Sequence, residues 1–204
     1  MAPMYTPGEP SLVSPDADLD GIGLTGDLTG RRAGNARFLE CRLEGCDLSG
    51  LSAPRARFTD TTLYAVRGAG VDLAESQWMD CCVAGARLGA VQLYGAELRR
   101  VRVEGGKIDY LNLRGAALHD VVFADCVLTE PDFGSARLTG VRFDGCRLVA
   151  PDFSQAALAK VDLSGAEIVA PRGLTSLSGA TISRLQLLDL APALADQLGI
   201  SVAD

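Results

Sequence analysis

The side chains that could do chemistry in this 204-residue chain are one histidine, His119, and six cysteines. A single histidine cannot supply a two-histidine metal site, and it leaves no second imidazole for a proton relay. The adjacent Cys81 and Cys82, and the later Cys126 and Cys146, do not have a metal-binding spacing such as C-x-x-C. His119 directly follows an apolar residue, so we expect its ring to point outward as a solvated surface group.

Sequence fingerprints of common active sites are also missing. The chain contains no G-x-S-x-G nucleophile motif and no phosphate-binding P-loop. We therefore expect a protein that is not an enzyme and that uses no metal and no cofactor.

The apolar residues repeat every five positions between residues 38 and 168. Counting in fives from Phe38 reaches a large apolar residue at every slot except Ala53 and Gly68. A helix needs apolar spacing of about 3.6 residues and a strand about 2, so neither explains the period. A unit this short cannot bury its own apolar side chains and must stack on copies of itself, which predicts a solenoid. Gly68 leaves a gap in this pattern that we expect the ring of Trp78 to use.

A second slot, two residues before each large apolar one, holds mostly small residues. None of the charged residues between 36 and 170 falls on either slot, so both are predicted to face the core. Five of the six cysteines occupy the small slot and are expected to be core-filling thiols, while Cys82 should face outward. The five are Cys41, Cys46, Cys81, Cys126 and Cys146.

Several of the units resemble the A-[D/N]-[L/F]-x-x units of the pentapeptide-repeat family. Examples are residues 36–40 (ARFLE), 136–140 (ARLTG), 156–160 (AALAK) and 161–165 (VDLSG). The resemblance implies an all-β fold, a right-handed quadrilateral β-helix with four units per coil and the central Leu or Phe inward. Residues 20 apart would then lie above one another, about 4.8 Å apart as neighbouring strands do.

The period divides the chain into three parts. Residues 1–15 are rich in proline and show no period, which indicates a flexible N-terminal arm. Residues 16–173 form the predicted pentapeptide-repeat solenoid, with a frame slip near Gly26 and a weak unit at Ala33. Residues 174–204 have helical spacing, with a kink or second helix start expected at Pro192. We expect this segment to cover the open end of the solenoid and to form a homodimer through its apolar residues, Ile182, Leu185, Leu188, Leu194 and Leu198.

Stacking four units per coil also arranges the charged side chains in columns. The whole chain carries a formal charge of −7, but residues 33–173 carry only −2, because the two flanking segments carry −3 and −2. One predicted column is acidic and is interrupted by Arg100; it contains Glu40, Asp60, Asp80 and Asp120. Another is basic and is interrupted by Val127; it contains Arg67, Arg87, Lys107 and Arg147.

The family resemblance implies a function in protein binding and not in catalysis. Some pentapeptide-repeat proteins bind DNA gyrase by imitating duplex DNA and so give quinolone resistance, which makes gyrase the candidate protein partner for the acidic column. The alternative is a generic scaffold that binds another protein and has no gyrase activity. We expect no direct nucleic-acid binding, because the overall charge repels phosphate. The absence of a long apolar run or an amino-terminal signal leads us to expect a cytoplasmic protein without membrane contact.

Overall fold

The computed structural model describes residues 5–197 and 199–201. The first eight strands are β1 (Thr6–Gly8), β2 (Asp18–Asp20), β3 (Ile22–Asp27), β4 (Arg37–Leu39), β5 (Arg42–Asp47), β6 (Arg57–Thr59), β7 (Thr62–Tyr64) and β8 (Arg67–Asp72). The next eight are β9 (Gln77–Met79), β10 (Cys82–Ala84), β11 (Arg87–Gln92), β12 (Glu97–Arg99), β13 (Arg102–Glu104), β14 (Lys107–Asn112), β15 (Ala117–His119) and β16 (Val122–Ala124). The last eight are β17 (Val127–Thr129), β18 (Arg137–Thr139), β19 (Arg142–Asp144), β20 (Arg147–Val149), β21 (Ala157–Ala159), β22 (Val161–Asp162), β23 (Glu167–Val169) and β24 (Ala180–Thr181). Two 3₁₀ turns (Pro10–Leu12 and Leu174–Leu177) and one helix, α1 (Arg184–Gln197), complete these elements.

All strand pairs are parallel, and in the regular part each residue pairs with the residue 20 positions later. Phe38 lies beside Phe58, and Phe58 lies beside Trp78. Strands β2, β4, β6, β9, β12, β15, β18 and β21 form one sheet in that order, which we call the first wall. The remaining strands form the second and third walls, which are joined through β5. The predicted β-solenoid with a C-terminal helix is therefore confirmed.

The fifth residue of each unit lies at a corner of the coil. In this position the backbone adopts positive φ in unit after unit, for example 49° at Asp60, 53° at Ala90 and 64° at Gly115. This left-handed conformation costs an L-residue about 1–2 kcal/mol, whereas it costs glycine little. The turn nevertheless recurs with non-glycine residues, because hydrogen bonds to the next coil and burial of the two inward residues hold it in place. The N–H of Asp60, for instance, donates to the carbonyl oxygen of Met79 at 3.0 Å.

The interior consists of stacked side chains from successive coils. In the first wall the rings of Phe38 and Phe58 stack at 4.7 Å and those of Phe58 and Trp78 at 4.0 Å. Two further ladders stack Phe123 on Phe143 at 5.0 Å and Phe133 on Phe153 at 5.2 Å. The predicted core thiols are buried, and Cys82 is the half-buried one. Burial raises the pKa of the Cys81 thiol to about 11, so this thiol stays protonated at neutral pH.

The indole N–H of Trp78 has a specific partner in this core. It donates to the hydroxyl of Ser76 at 2.8 Å, and that hydroxyl donates to the carbonyl oxygen of Leu73 at 2.6 Å. Ser76 is fully buried in the small inward slot. A buried indole N–H without a partner would cost about 1–3 kcal/mol, so this serine satisfies a group that the large ring brings into the core.

A small cavity lies where the inward residues are shortest. Its volume is about 60 Å³, and its apolar lining includes Trp78, Val83, Val103 and Leu88. Gly68 lies in the third wall beside Leu88 and fills none of this space. Gly68 is not among the residues that line the cavity, and the use of its gap by the Trp78 ring stays a prediction. The backbone gives a second reason for this glycine, because its φ is 146° and an added Cβ would lie 2.6 Å from the Ser49 nitrogen.

The amino-terminal end differs from the flexible arm that we expected for residues 1–15. Strand β1 pairs with β3, and the N–H of Thr6 donates to the carbonyl oxygen of Gly21 at 2.8 Å. Val13 is buried in the core. Residues 5–13 are therefore packed as a partial extra coil, while residues 1–4 lie outside the described part. The predicted frame slip is confirmed, since the register between β3 and β5 shifts between Thr25 and Asp27.

Candidate interaction surface

The four carboxylates of the predicted acidic column are placed by the corners between the first and second walls. Each is the last residue of its unit and has positive φ, from 49° at Glu40 to 56° at Asp80. The four side chains are exposed and point away from the core on coils that stack in register. Asp60 lies between Glu40 and Asp80, and Asp120 lies beyond Arg100. This is the order predicted from the sequence, and the use of the column as an interaction site stays a prediction.

Arg100 changes the electrostatics of the column by pairing with Asp80. Its Nε donates to Asp80 Oδ1 at 2.6 Å and its Nη2 donates to Asp80 Oδ2 at 2.7 Å. These hydrogen bonds lower the pKa of Asp80 and raise that of Arg100. The negative charge of Asp80 is therefore compensated within the chain, and a cationic partner would have to compete with this guanidinium.

The other three carboxylates have different surroundings. Asp120 Oδ2 lies 2.8 Å from His119 Nδ1, and the outward position predicted for His119 is confirmed. Among the described residues no arginine, lysine or histidine forms an ion pair with Glu40 or Asp60. The uncompensated part of the column is therefore the stretch at Glu40 and Asp60, two adjacent coils near the amino-terminal end.

The basic column on the third wall is compensated at several points. Arg67 pairs with Asp47 at 3.2 Å, Lys107 with Asp109 at 3.1 Å and Arg147 with Glu167 at 2.8 Å. On the second wall, arginines pair with the acid two residues later on the same strand, as in Arg42–Glu44, Arg102–Glu104 and Arg142–Asp144. Much of the outer surface is therefore covered by paired charges of both signs.

The C-terminal segment covers the last coil through residues that the sequence pattern did not single out. Gln186 Nε2 donates to the carbonyl oxygens of Leu163 and Ala166 at 2.7 and 2.6 Å. The side chain of Gln186 also accepts from the N–H of Ser183 at 2.6 Å, and the Ser183 hydroxyl accepts from the N–H of Gln186 at 3.2 Å. This reciprocal pair is a capping box, whose S-x-x-Q signature at residues 183–186 could have revealed it from the sequence. Leu190 is buried next to it.

The predicted cap and dimer residues are divided between two environments. Ile182 packs against the core, and Leu194 is half-buried. Leu185 and Leu188 are 73% and 65% exposed. Leu198 lies outside the described residues. Helix α1 continues through Pro192, and residues 191–197 remain helical. Ile182 thus contributes to covering the coil, while Leu185 and Leu188 leave an apolar face in solvent.

The described part of the chain lacks two further kinds of feature. It contains no group of three or more His, Cys, Asp and Glu side chains that could hold a metal ion. Residues 5–197 and 199–201 also contain no helix long and apolar enough to span a membrane.

These features define a parallel β-solenoid built from five-residue units, with charged columns at its corners and a helical cap at one end. A family model described as pentapeptide repeats matches residues 111–145 and 136–168, with eight copies in all. The resemblance predicted from the sequence is confirmed: these residues are pentapeptide repeats. No protein of curated function matches the chain in sequence.

Two solved structures are among those to which this chain is similar. A trypsin-treated variant of QnrB1, a plasmid-mediated fluoroquinolone resistance protein, is 21% identical over 89% of this chain and 99% of its own, with a TM-score of 0.31. HetL, a pentapeptide-repeat protein involved in heterocyst differentiation regulation from the cyanobacterium Nostoc sp. strain PCC 7120, is 20% identical over 81% of this chain and 89% of its own, with a TM-score of 0.27. At these identities and scores the likeness gives no argument about activity.

Proposed function

We propose that this protein is a non-enzymatic interaction scaffold that binds a cationic protein surface at its acidic corner. The observation that carries the proposal is the pair Glu40 and Asp60, exposed on adjacent coils and without an ion-pair partner among the described residues. A rigid β-solenoid fixes the backbone spacing of such residues at about 4.8 Å, so binding costs little conformational entropy of the chain. The partner would supply lysine or arginine side chains to this corner.

DNA gyrase is the candidate partner, because the family resemblance names it. A DNA mimic must present negative charge densely, and duplex DNA carries one charge per about 1.7 Å of its axis. The acidic column supplies at most one carboxylate per coil, about 4.8 Å, and Arg100 compensates one of them. Any imitation of DNA would therefore be confined to the short stretch at Glu40, Asp60 and Asp80, with Asp80 available only after Arg100 moves.

The test is DNA supercoiling by purified gyrase, with and without a fluoroquinolone, titrated with the protein. An Asp60→Lys/Asp80→Lys variant reverses two charges of the column. A matched control, Glu104→Lys/Asp144→Lys, makes the same charge change on the second wall. Inhibition or drug protection by the wild type, lost in the first variant and kept in the second, would support gyrase binding at this corner. No effect of the wild type at tens-of-micromolar concentration would rule gyrase out.

A generic scaffold without gyrase activity is the second candidate function. It is favoured by the ion-paired second and third walls, where the outward charges are already compensated within the chain. The two functions differ in salt response, because binding through uncompensated carboxylates weakens as ionic strength rises, while binding through apolar or paired contacts changes less. Binding to the partner should therefore be measured at low and high salt. A steep fall supports the acidic corner, and salt-insensitive binding supports the scaffold.

We also propose that the protein forms a homodimer through α1. Leu185 and Leu188 lie one turn apart on the helix and are both largely exposed, which leaves an apolar strip that a second copy of the same strip could cover. Analytical ultracentrifugation should give a dimer for the wild type and a monomer for Leu185→Asp/Leu188→Asp. Leu12→Asp, at another exposed leucine, serves as the control and should remain a dimer. A monomeric wild type at high concentration would contradict this proposal.

A further inference from the structure

A depression on the flat first wall collects polar side chains that the acidic corner does not use. Its volume is about 280 Å³, and its floor is formed by Ala117 and Leu118. Around this floor lie Arg99, His119 and Arg137, together with other polar groups. Such a hollow is close in size to the smaller pockets that hold ligands in proteins.

The register of the strands explains why the hollow forms at this coil. Ala117 lies between Glu97 on the coil before and Arg137 on the coil after. Because Ala117 has only a methyl group, the two long side chains beside it leave an open space above Leu118. The positions two residues later on the same strands are Arg99, His119 and Thr139, which therefore also stack in register and form the second side of the hollow.

The charged groups around the hollow differ in their partners. Arg99 Nη2 lies 3.8 Å from the Glu97 carboxylate, which is a long ion pair between exposed groups. Arg137 has no carboxylate partner among the described residues, although it belongs to the same wall. Asp120 Oδ2 lies 2.8 Å from Nδ1 of His119, which leaves Nε2 without that contact. Arg99 is thus paired with Glu97, Asp120 lies beside His119, and the guanidinium of Arg137 is the one that has no carboxylate partner among the described residues.

We propose that this depression is a binding site for a phosphate monoester. Arg137 and Arg99 are two coils apart and two residues apart along their strands, about 12 Å at the backbone, so their long side chains can reach a ligand from opposite sides. A tetrahedral phosphate accepts hydrogen bonds from several directions at once, whereas one guanidinium already satisfies both oxygens of a carboxylate. The Thr139 hydroxyl adds a donor from a third direction, and His119 Nε2 donates only when the imidazole carries both protons. Glu97 lies in the same row as Arg137, on the other side of Ala117.

The negative charge of the whole chain does not conflict with this site. The formal charge of −7 repels a polyanion such as a nucleic acid over long distances. A ligand with one phosphate group approaches to within a few ångströms of Arg137, where the local charges dominate because salt screens the distant ones over about 8–10 Å. The site is separate from Glu40 and Asp60, so its failure would not affect the proposed function of the acidic corner.

The chain has one histidine, which makes the imidazole of His119 a reporter that needs no assignment. The experiment is a titration of the full chain with phenyl phosphate, followed by the NMR signals of this ring. We expect a saturable shift in the wild type. In Arg137→Ala the affinity should fall by about tenfold or more, because a charge-assisted hydrogen bond to phosphate is lost.

Two controls separate a built site from general attraction. Arg37→Ala removes the same charge from the same row of the first wall, five coils away, and should change the affinity by less than about twofold. Benzoate tests whether a carboxylate of similar shape can replace the phosphate, and we expect it to bind more weakly. No saturable shift with phenyl phosphate at millimolar concentration, an equal loss in Arg37→Ala, or equal binding of benzoate would each overturn the proposal.

The source of the phosphate is resolved by a second titrant. A phosphoserine peptide and its unphosphorylated form should be titrated under the same conditions. Tighter binding of the phosphopeptide than of phenyl phosphate would identify a phosphorylated side chain as the ligand. Binding no tighter than that of phenyl phosphate would identify a free phosphate ester. Binding of both peptides to the same extent would show that the phosphate group is not recognised and would contradict the site.

Discussion

Filling the small interior cavity should stabilise the solenoid. The cavity beside Trp78 has a volume of about 60 Å³, and the smallest residues that line it on the second wall are Val83 and Val103. These are the two shortest residues in a column that otherwise holds leucine and phenylalanine. Val83→Ile adds one methylene group at this position, in a space that is apolar on all sides.

The size of the effect follows from the volume of the cavity. An unfilled cavity costs about 24 cal/mol per Å³, so the whole space of about 60 Å³ costs about 1.4 kcal/mol. One buried methylene contributes about 0.8 kcal/mol, which sets the expected gain for Val83→Ile. A gain of this size raises the melting temperature by about 2–3 °C in a chain of this length.

Thermal and denaturant unfolding, followed by circular dichroism and tryptophan fluorescence, measure this gain. Val141→Ile is the matched control, because Val141 is also fully buried but does not line the cavity. The extra methylene should there destabilise the protein by about 1–3 kcal/mol through overpacking. If Val83→Ile destabilises the protein as much as Val141→Ile does, the space beside Trp78 cannot accept a side chain and the reasoning is wrong.

Three further changes should be measurable in the same unfolding assays. Ser76→Ala leaves the indole N–H of Trp78 buried without its acceptor and should cost about 1–3 kcal/mol, whereas Ser76→Thr should recover part of this loss. Gly106→Ala brings a Cβ to 2.9 Å from a backbone oxygen of the preceding coil. It should therefore destabilise the protein more than Gly105→Ala, whose Cβ meets open space and costs only about 1–2 kcal/mol for positive φ. Equal losses of stability in the two variants would contradict the close approach. Hydrogen bonds lower the pKa of Asp162 in the folded state, so its contribution to the free energy of unfolding is present at neutral pH and is lost as the pH falls below about 4. The stability of Asp162→Asn should therefore depend less on pH between about 5 and 2 than that of the wild type, and an unchanged pH profile would refute this role.

The architecture could be predicted from the sequence because burial itself is encoded with a fixed period. Every inward slot repeats after five residues, and four units per coil then fix which residues stack, as Phe38 and Phe58 do. The acidic column and its interruption at Arg100 followed from the same arithmetic. The pairing of side chains could not be predicted in this way, because Arg100 has a carboxylate on the coil before it and another on the coil after it. The structure shows that it selects Asp80.

The two ends of the rod were harder to predict for physical reasons. Strand β1 is attached by backbone hydrogen bonds, such as Thr6 to Gly21, and these leave no periodic pattern of apolar side chains. Helix α1 carries leucines on more than one face, so hydrophobicity alone does not say which face meets the solenoid. The residue that decides this is polar, because the last coil presents free carbonyl oxygens, and Gln186 is able to donate to two of them.

The stack of Phe38, Phe58 and Trp78 places the only tryptophan of the chain between the two ends of the rod. Each coil contacts mainly the coils directly before and after it, so the rod can lose structure at one end while its middle stays intact. Tryptophan fluorescence would then remain native while the terminal coils, including the one beneath α1, have already opened. A difference between the unfolding transitions seen by fluorescence and by circular dichroism would thus measure fraying of the rod. Coincident transitions would show that the rod unfolds as one cooperative unit.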